Sequence, residues 1–290
     1  MKKFSSQSGA SFAFLVFLYS VFGFGVSHDS LKISHSIERY VSLGDTLEGI
    51  LEMPETQGKK SLVIFVHGSG RVDRSDYYNY VEKFWKKGYA TFRYDKRGVG
   101  KSGGEFLRVN QASSVISLPK LADDVNATVV HLSKNKKIDP RNIILMGNSQ
   151  AGWIIPMAAN LGGVSKIVIV SGPAVTVGEQ MYYSKKIELD NDIYSDTEIE
   201  NMLSKYDGEQ GFDPLPHLQN LKIPALWFIG RKDRSIPAVK TINAIREIGR
   251  KYNKDFVVEE FSEADHSLKN IRTGQSEDPF PYLFKWLKSN

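Results

Sequence analysis

The stretch RNIILMGNSQAGW, residues 141–153, joins an apolar run, Ile143–Met146, to a Gly-Asn-Ser-Gln-Ala-Gly turn, and a second apolar run, Trp153–Ala159, follows at once. Small apolar residues fill such a corner without a hydroxyl to satisfy, so Ser149 reads as chemistry rather than packing. A serine on the tight turn between a buried strand and a buried helix has the setting of a nucleophile elbow. Small residues at 147, 151 and 152 allow the helix to press against the strand, with Ala151 standing where the full G-x-S-x-G pattern has glycine.

The full pattern occurs elsewhere, at Gly100-Lys101-Ser102-Gly103-Gly104. There the serine is preceded by YDKRGVG and followed by GEFLRVNQ, which supply neither the strand nor the helix that an elbow needs. The same residues resemble the end of a phosphate-binding loop, but Asp95 stands where that motif requires its first glycine, and Gly103-Gly104 replaces the expected helix start. A tight loop after a strand ending at Tyr94 is the reading that survives.

Outward from Ser149 the chain alternates strands and helices. Strands are expected at 37–43 and 46–53 around a Gly44-Asp45 turn, then at 61–66, 90–94, 142–146, 166–170, 225–229 and 256–261. Helices are expected at 77–87, ending at Gly88, and at 121–132, 150–160 with a kink point at Pro156, 238–250 and 282–288. Strands this continuously apolar belong to a mostly parallel sheet of about eight strands with helices on both faces, an α/β fold. Between Ser171 and Pro224 about fifty residues replace a crossover that needs only about a dozen. They hold two helical patterns and the polar link DPLPHLQNLKIP, and read as a lid-type helical insertion or a packed subdomain.

A hydroxyl nucleophile needs a base. Of six histidines, His28 and His35 lie near the N-terminus, His131 sits on a helix beside lysines, His217 lies among prolines, and His67 ends a strand in HGSG. His266 in SEADHSL, in the loop after the last strand, remains. The orienting carboxylate is then Asp233 in WFIGRKDRSIP, just past a buried strand. Ser149, Asp233 and His266 each follow a strand of one parallel sheet, where such sheets bind ligands. An oxyanion hole would draw on the backbone N–H of Gln150, at the helix start, and that of Ser69 in HGSG. His67 is expected to shape that loop.

With those residues in place the chain resembles an α/β-hydrolase, and more narrowly the bacterial esterase and serine-aminopeptidase-like branch. The matching stretches are VIFVHGSG, FRYDKRGVGKSGG, ILMGNSQAGW, IPALWFIGRKDRSIP and ADHSL, from about residue 35 to the C-terminus. The resemblance implies acyl transfer with no metal and no cofactor, and a lid at the 171–224 insertion. Met181, Tyr182 and Tyr183 in that insertion are candidates for the apolar wall of an acyl pocket, although helix packing explains them equally well.

The N-terminus reads differently. Lys2 and Lys3 precede the apolar run ASFAFLVFLYSVFGFGV, Ala10 to Val26, with small residues around Ser27. That is the pattern of a signal peptide over 1–27, leaving a hydrolase domain over 28–290; an uncleaved membrane anchor is the rival. The expected location is periplasmic or secreted, with membrane contact only through that segment if it is uncleaved. The absence of cysteine rules out a thiol nucleophile, disulfides and a cysteine-linked lipid. A net charge of +5 is spread along the chain without a basic face, so no nucleic-acid partner is expected. The expected activity is an exported serine hydrolase cleaving carboxylic esters of small molecules. A peptidase for short peptides, a thioesterase and a non-catalytic binding homologue are the alternatives.

Overall fold

The apolar β-branched runs become eight strands in the computed structural model, which describes residues 31–189 and 194–290. The expected signal peptide lies outside the described residues. The strands are β1 (Ile33–Ser42), β2 (Asp45–Pro54), β3 (Lys60–Val66), β4 (Ala90–Tyr94), β5 (Ile138–Asn148), β6 (Lys166–Val170), β7 (Ala225–Gly230) and β8 (Phe256–Phe261). They form one sheet in the order β1-β2-β4-β3-β5-β6-β7-β8. Only β2 runs against its neighbours.

Alternation along each strand divides the core. Leu62, Ile64, Val66, Leu145, Ile169 and Trp227 face one way, against α2 (Gln111–Leu132), α3 (Ala151–Asn160) and α7 (Ala238–Lys251). Val63, Phe65, Ile144, Met146, Val168 and Phe228 face the other way, against α1 (Tyr78–Trp85) and α8 (Phe280–Ser289). Each such side chain contributes roughly 1.5–3 kcal/mol relative to exposure. Because both faces are covered, the working surface is left to the loops at the strands' carboxyl ends.

Three local expectations change. The hairpin turns on Leu43 and Gly44, both at positive φ, so Asp45 already pairs with Ser42 in β2. Helix α2 starts at Gln111, ten residues before the expected Leu121. Asn110 caps it: its side chain accepts from Ser113 N–H at 2.8 Å, and Ser113 Oγ accepts from Asn110 N–H at 3.0 Å. Pro119 sits inside that helix without breaking it, and the carbonyl it leaves without a donor belongs to Val115, an exposed residue. The polar link also contains a short helix, α6 (Leu215–Asn220), whose start is pre-organised by Pro214 and Pro216. The two helical patterns before it are α4 (Val177–Leu189) and α5 (Asp196–Ser204). Among the described residues no helix is long and apolar enough to cross a membrane.

Candidate active site

Ser149 occupies the corner between β5 and α3 at φ 53, a left-handed conformation that costs a non-glycine residue about 1–2 kcal/mol. Neighbours hold it there: its N–H donates to Val170 O at the end of β6 (2.9 Å), and its carbonyl accepts from Gly152 N–H (2.8 Å). The corner closes only around small residues. A Cβ at position 147 would lie 2.4 Å from Val66 O and 2.6 Å from Ala151 Cβ, and one at 152 would meet the backbone of Gly172 at 2.7 Å.

Asp233 follows β7 and is 3% exposed. Its two oxygens divide the work: Oδ1 accepts the N–H groups of Ser235 (2.7 Å) and Ile236 (2.9 Å), and Oδ2 lies 2.7 Å from His266 Nδ1. An ionised carboxylate only accepts, so the proton of this bond sits on Nδ1 and the Nε2 lone pair is available as a base. Gly230 makes the approach possible, because a Cβ there would stand 2.4 Å from the carbonyl oxygens of both Ala264 and Asp265, the residues leading into His266. Ser149 Oγ and His266 Nε2 each make no hydrogen bond among the described residues. That link is therefore open here; such contacts commonly tighten only around substrate.

The HGSG loop lies against the elbow, where a Cβ on Gly68 would be 3.5 Å from Ser149 Cβ. Ser69 and Gln150 line one cavity with Ser149, and neither of their backbone N–H groups donates to a described residue. Two buried side chains brace the loop. His67 Nε2–H donates to Tyr94 O at 2.5 Å, the shaping role expected for it. Lys96 Nζ donates to Gly68 O (2.8 Å) and to Gln150 Oε1 (3.0 Å), with Gly70 O at 3.5 Å. Burial pushes the Lys96 amine down to about 8. In the sequence the one signal of Lys96 is a cation two residues past a buried strand.

The cavity holds about 370 Å³. Val109, Trp153, Pro173 and Ile236 form apolar wall, and α4 supplies Val177, Gln180, Met181, Ser184, Lys185 and Glu188. Those α4 positions are spaced by three and four residues, one face of a helix. The same periodicity corrects two expectations: of the three proposed wall residues only Met181 reaches the cavity. Tyr182 stacks on Tyr206 at 4.8 Å, and Tyr183 is buried with its hydroxyl donating to Asp233 O at 2.8 Å. Gln180 donates to Ser235 O (2.7 Å), Arg234 to Ile187 O, and Lys240 pairs with Glu179. Helix α4 is thereby tied to the loop that carries Asp233 and to the first turn of α7.

The rejected motif is structural. Ser102 is buried, donates to Asp95 O (2.6 Å) and accepts from Glu48 N–H (3.0 Å). The Asp95 carboxylate fills the glycine loop, accepting from Lys101 N–H (2.7 Å) and Arg74 (2.6 Å), so the loop wraps an anion of its own.

A curated relative, the quorum-quenching protein AidA of Acinetobacter baumannii (strain MDR-ZJ06), is 25% identical over 119 residues, 41% of this chain and 37% of AidA. The chain thus matches little more than a third of that relative's length. The esterase Pf2001 of Pyrococcus furiosus superposes with a TM-score of 0.62 at 21% identity, over 89% of this chain and 88% of the esterase. The acylaminoacyl peptidase of Pyrococcus horikoshii gives 0.62 at 18%, over 85% of this chain and 40% of the peptidase. Residues 57–203, half of the chain, match the family described as serine aminopeptidase, S33. With the sheet order and the serine-bearing corner above, the chain belongs to that family and has the α/β-hydrolase fold.

Proposed function

We propose that this protein is an exported carboxylesterase working through an acyl-enzyme on Ser149. The observation that carries the reading is the Asp233–His266 hydrogen bond, which leaves Nε2 basic, at the same sheet edge as a serine held on a strained corner in a cavity. Ser149 Oγ attacks the ester carbonyl while His266 Nε2 takes its proton, and Asp233 steadies the imidazolium. The N–H groups of Gln150 and Ser69 receive the oxyanion. Collapse expels the alcohol, protonated by His266, and water activated by the same imidazole then releases the acid.

The ester preference is supported by the apolar lining from Trp153, Val177, Met181 and Ile236, in a volume suited to a small acyl group. The 171–224 insertion acts on this reading as a lid whose α4 forms one wall of the pocket, and residues 1–27 act as the export signal. A short-peptide substrate is the second reading, favoured by Glu188 and Lys185 on the cavity lining, which offer partners for a peptide's amine and carboxylate. The test is turnover of p-nitrophenyl esters and aminoacyl p-nitroanilides by the mature protein beside Ser149→Ala. Ester hydrolysis that falls by roughly ten-thousandfold or more in the variant supports the esterase. Anilide turnover that dominates and falls likewise moves the assignment to peptidase. No turnover, with no labelling of Ser149 by a fluorophosphonate, removes both.

A further inference from the structure

We propose that Lys96 is the positioning residue of the oxyanion hole, holding the Gly68–Ser69 peptide so that the Ser69 N–H faces the reacting carbonyl. This deepens the acyl-enzyme reading and rests on it. In a trans peptide the C=O and N–H point in opposite directions. Lys96 Nζ grips Gly68 O at 2.8 Å, and the other end of that same peptide unit is the Ser69 N–H, on a residue that lines the Ser149 cavity, with no acceptor for that N–H among the described residues. The same ammonium reaches Gln150 Oε1 at 3.0 Å, so one buried cation ties together the two residues expected to bind the oxyanion.

The cation also acts through the bond it makes. An amide whose oxygen faces a positive charge is polarised, and its N–H becomes a stronger donor. A positive charge behind that amide, in a site sheltered from water, further favours negative charge developing on the substrate oxygen. Lys96 is spared from competing pairs. Asp95 is engaged by Arg74 and Lys101 N–H, and Arg97 by Asp124 and Asp45. Arg71 donates to Gly98 O, and His67 bonds Tyr94 O. The amine meets the Phe106 ring at 5.8 Å and otherwise only neutral oxygens.

Among the described residues no carboxylate offsets the burial, so the ammonium gives up its proton at about pH 8 and keeps at most two donors for its three acceptors. A residue that only filled space would leave no trace in the pH profile.

The experiment is steady-state hydrolysis of p-nitrophenyl butyrate from about pH 6 to about pH 10 by the wild type, Lys96→Met, Lys96→Gln and Ser149→Ala, with fluorophosphonate labelling of Ser149 in each protein that retains it. We expect wild-type kcat to decline above about pH 8. In Lys96→Met, kcat should drop about 10- to 100-fold with KM within about twofold, and the alkaline decline should vanish. Lys96→Gln, which keeps a neutral donor, should recover part of kcat and still lack the decline. Ser149-dependent turnover that stays flat to pH 10, or a Lys96→Met kcat within about threefold of wild type, overturns the role of Lys96 and leaves the acyl-enzyme standing. If Lys96→Met does not fold, Lys96→Gln is read in its place: a kcat loss of more than about threefold with KM held supports the role, and a smaller loss overturns it. An unlabelled Ser149 without ester turnover overturns both readings together.

Discussion

At Asp233 the two carboxylate oxygens have different partners, and a single substitution separates them. In Asp233→Asn the amide oxygen can keep the N–H groups of Ser235 and Ile236, which turns the amide nitrogen toward His266 Nδ1. The ring must then present Nδ1 as an acceptor and carry its proton on Nε2, the tautomer that cannot accept from serine. The fold should survive while kcat for ester hydrolysis falls by about ten-thousandfold, read by steady-state kinetics beside a thermal melt. Asp233 and His266 were legible because each stands just past an apolar run, in the order serine, acid, histidine. Lys96 was not, because its meaning lies in which carbonyls its amine reaches, and those belong to residues 68, 70 and 150.

Between elements, the loops meet where one position has no side chain and one tyrosine crosses a gap. Gly230→Ala sets a Cβ against two carbonyl oxygens of the His266 loop, so the loop must shift or the end of β7 must bend. A destabilisation of about 1–3 kcal/mol by urea unfolding is expected, with a loss of kcat larger than any change in KM. Tyr183→Phe removes the bond from α4 to Asp233 O, at a cost of about 1 kcal/mol. That variant should also lower kcat by loosening the acid loop. If its activity were unchanged, the tie between α4 and the acid loop would rest on Gln180 and Arg234 without Tyr183. Sequence periodicity identified α4 as a helix but not which of its faces meets the cavity, so Tyr182 and Tyr183 looked as plausible as Met181. The ten-residue extension of α2 was hidden by Pro119 and its serines, which resemble a loop until the Asn110–Ser113 cap is seen.

Across the whole molecule, the loop after β4 is locked to α2 and to the β1–β2 hairpin by a buried ion pair. Arg97 bonds Asp124 at 2.5 Å, Asp45, and Ser42 O at 3.0 Å, with both Arg97 and Asp124 buried. Arg97→Met leaves the Asp124 carboxylate uncompensated and should cost about 3–5 kcal/mol by denaturant unfolding near neutral pH. Desolvation already raises the pKa of Asp124, and losing Arg97 raises it further. A folded-state pKa above the unfolded value means that the folded protein binds the proton more tightly. The defect should therefore grow as pH rises from about 4 through that raised pKa, and shrink in acid, where the carboxyl is neutral in both states. Denaturant midpoints at several pH values measure this directly.

What the sequence by itself determined was the alternation of buried strands with amphipathic helices, the corner that carries Ser149, and the placing of Asp233 and His266 in loops that follow strands. Those are local properties: hydrophobic period, glycine and alanine at a tight turn, and a polar residue just beyond an apolar run. Only the tertiary structure decided which donors and acceptors meet. The Asp233–His266 bond, the tie from Tyr183, the seating of Met181 without its two neighbours and the reach of Lys96 to Gly68 O and Gln150 Oε1 join residues tens of positions apart. The physical reason is that a hydrogen bond requires its donor and acceptor to be placed to within a few tenths of an ångström. That placing is set by how the sheet stacks its strand ends, which a pattern along one strand does not encode.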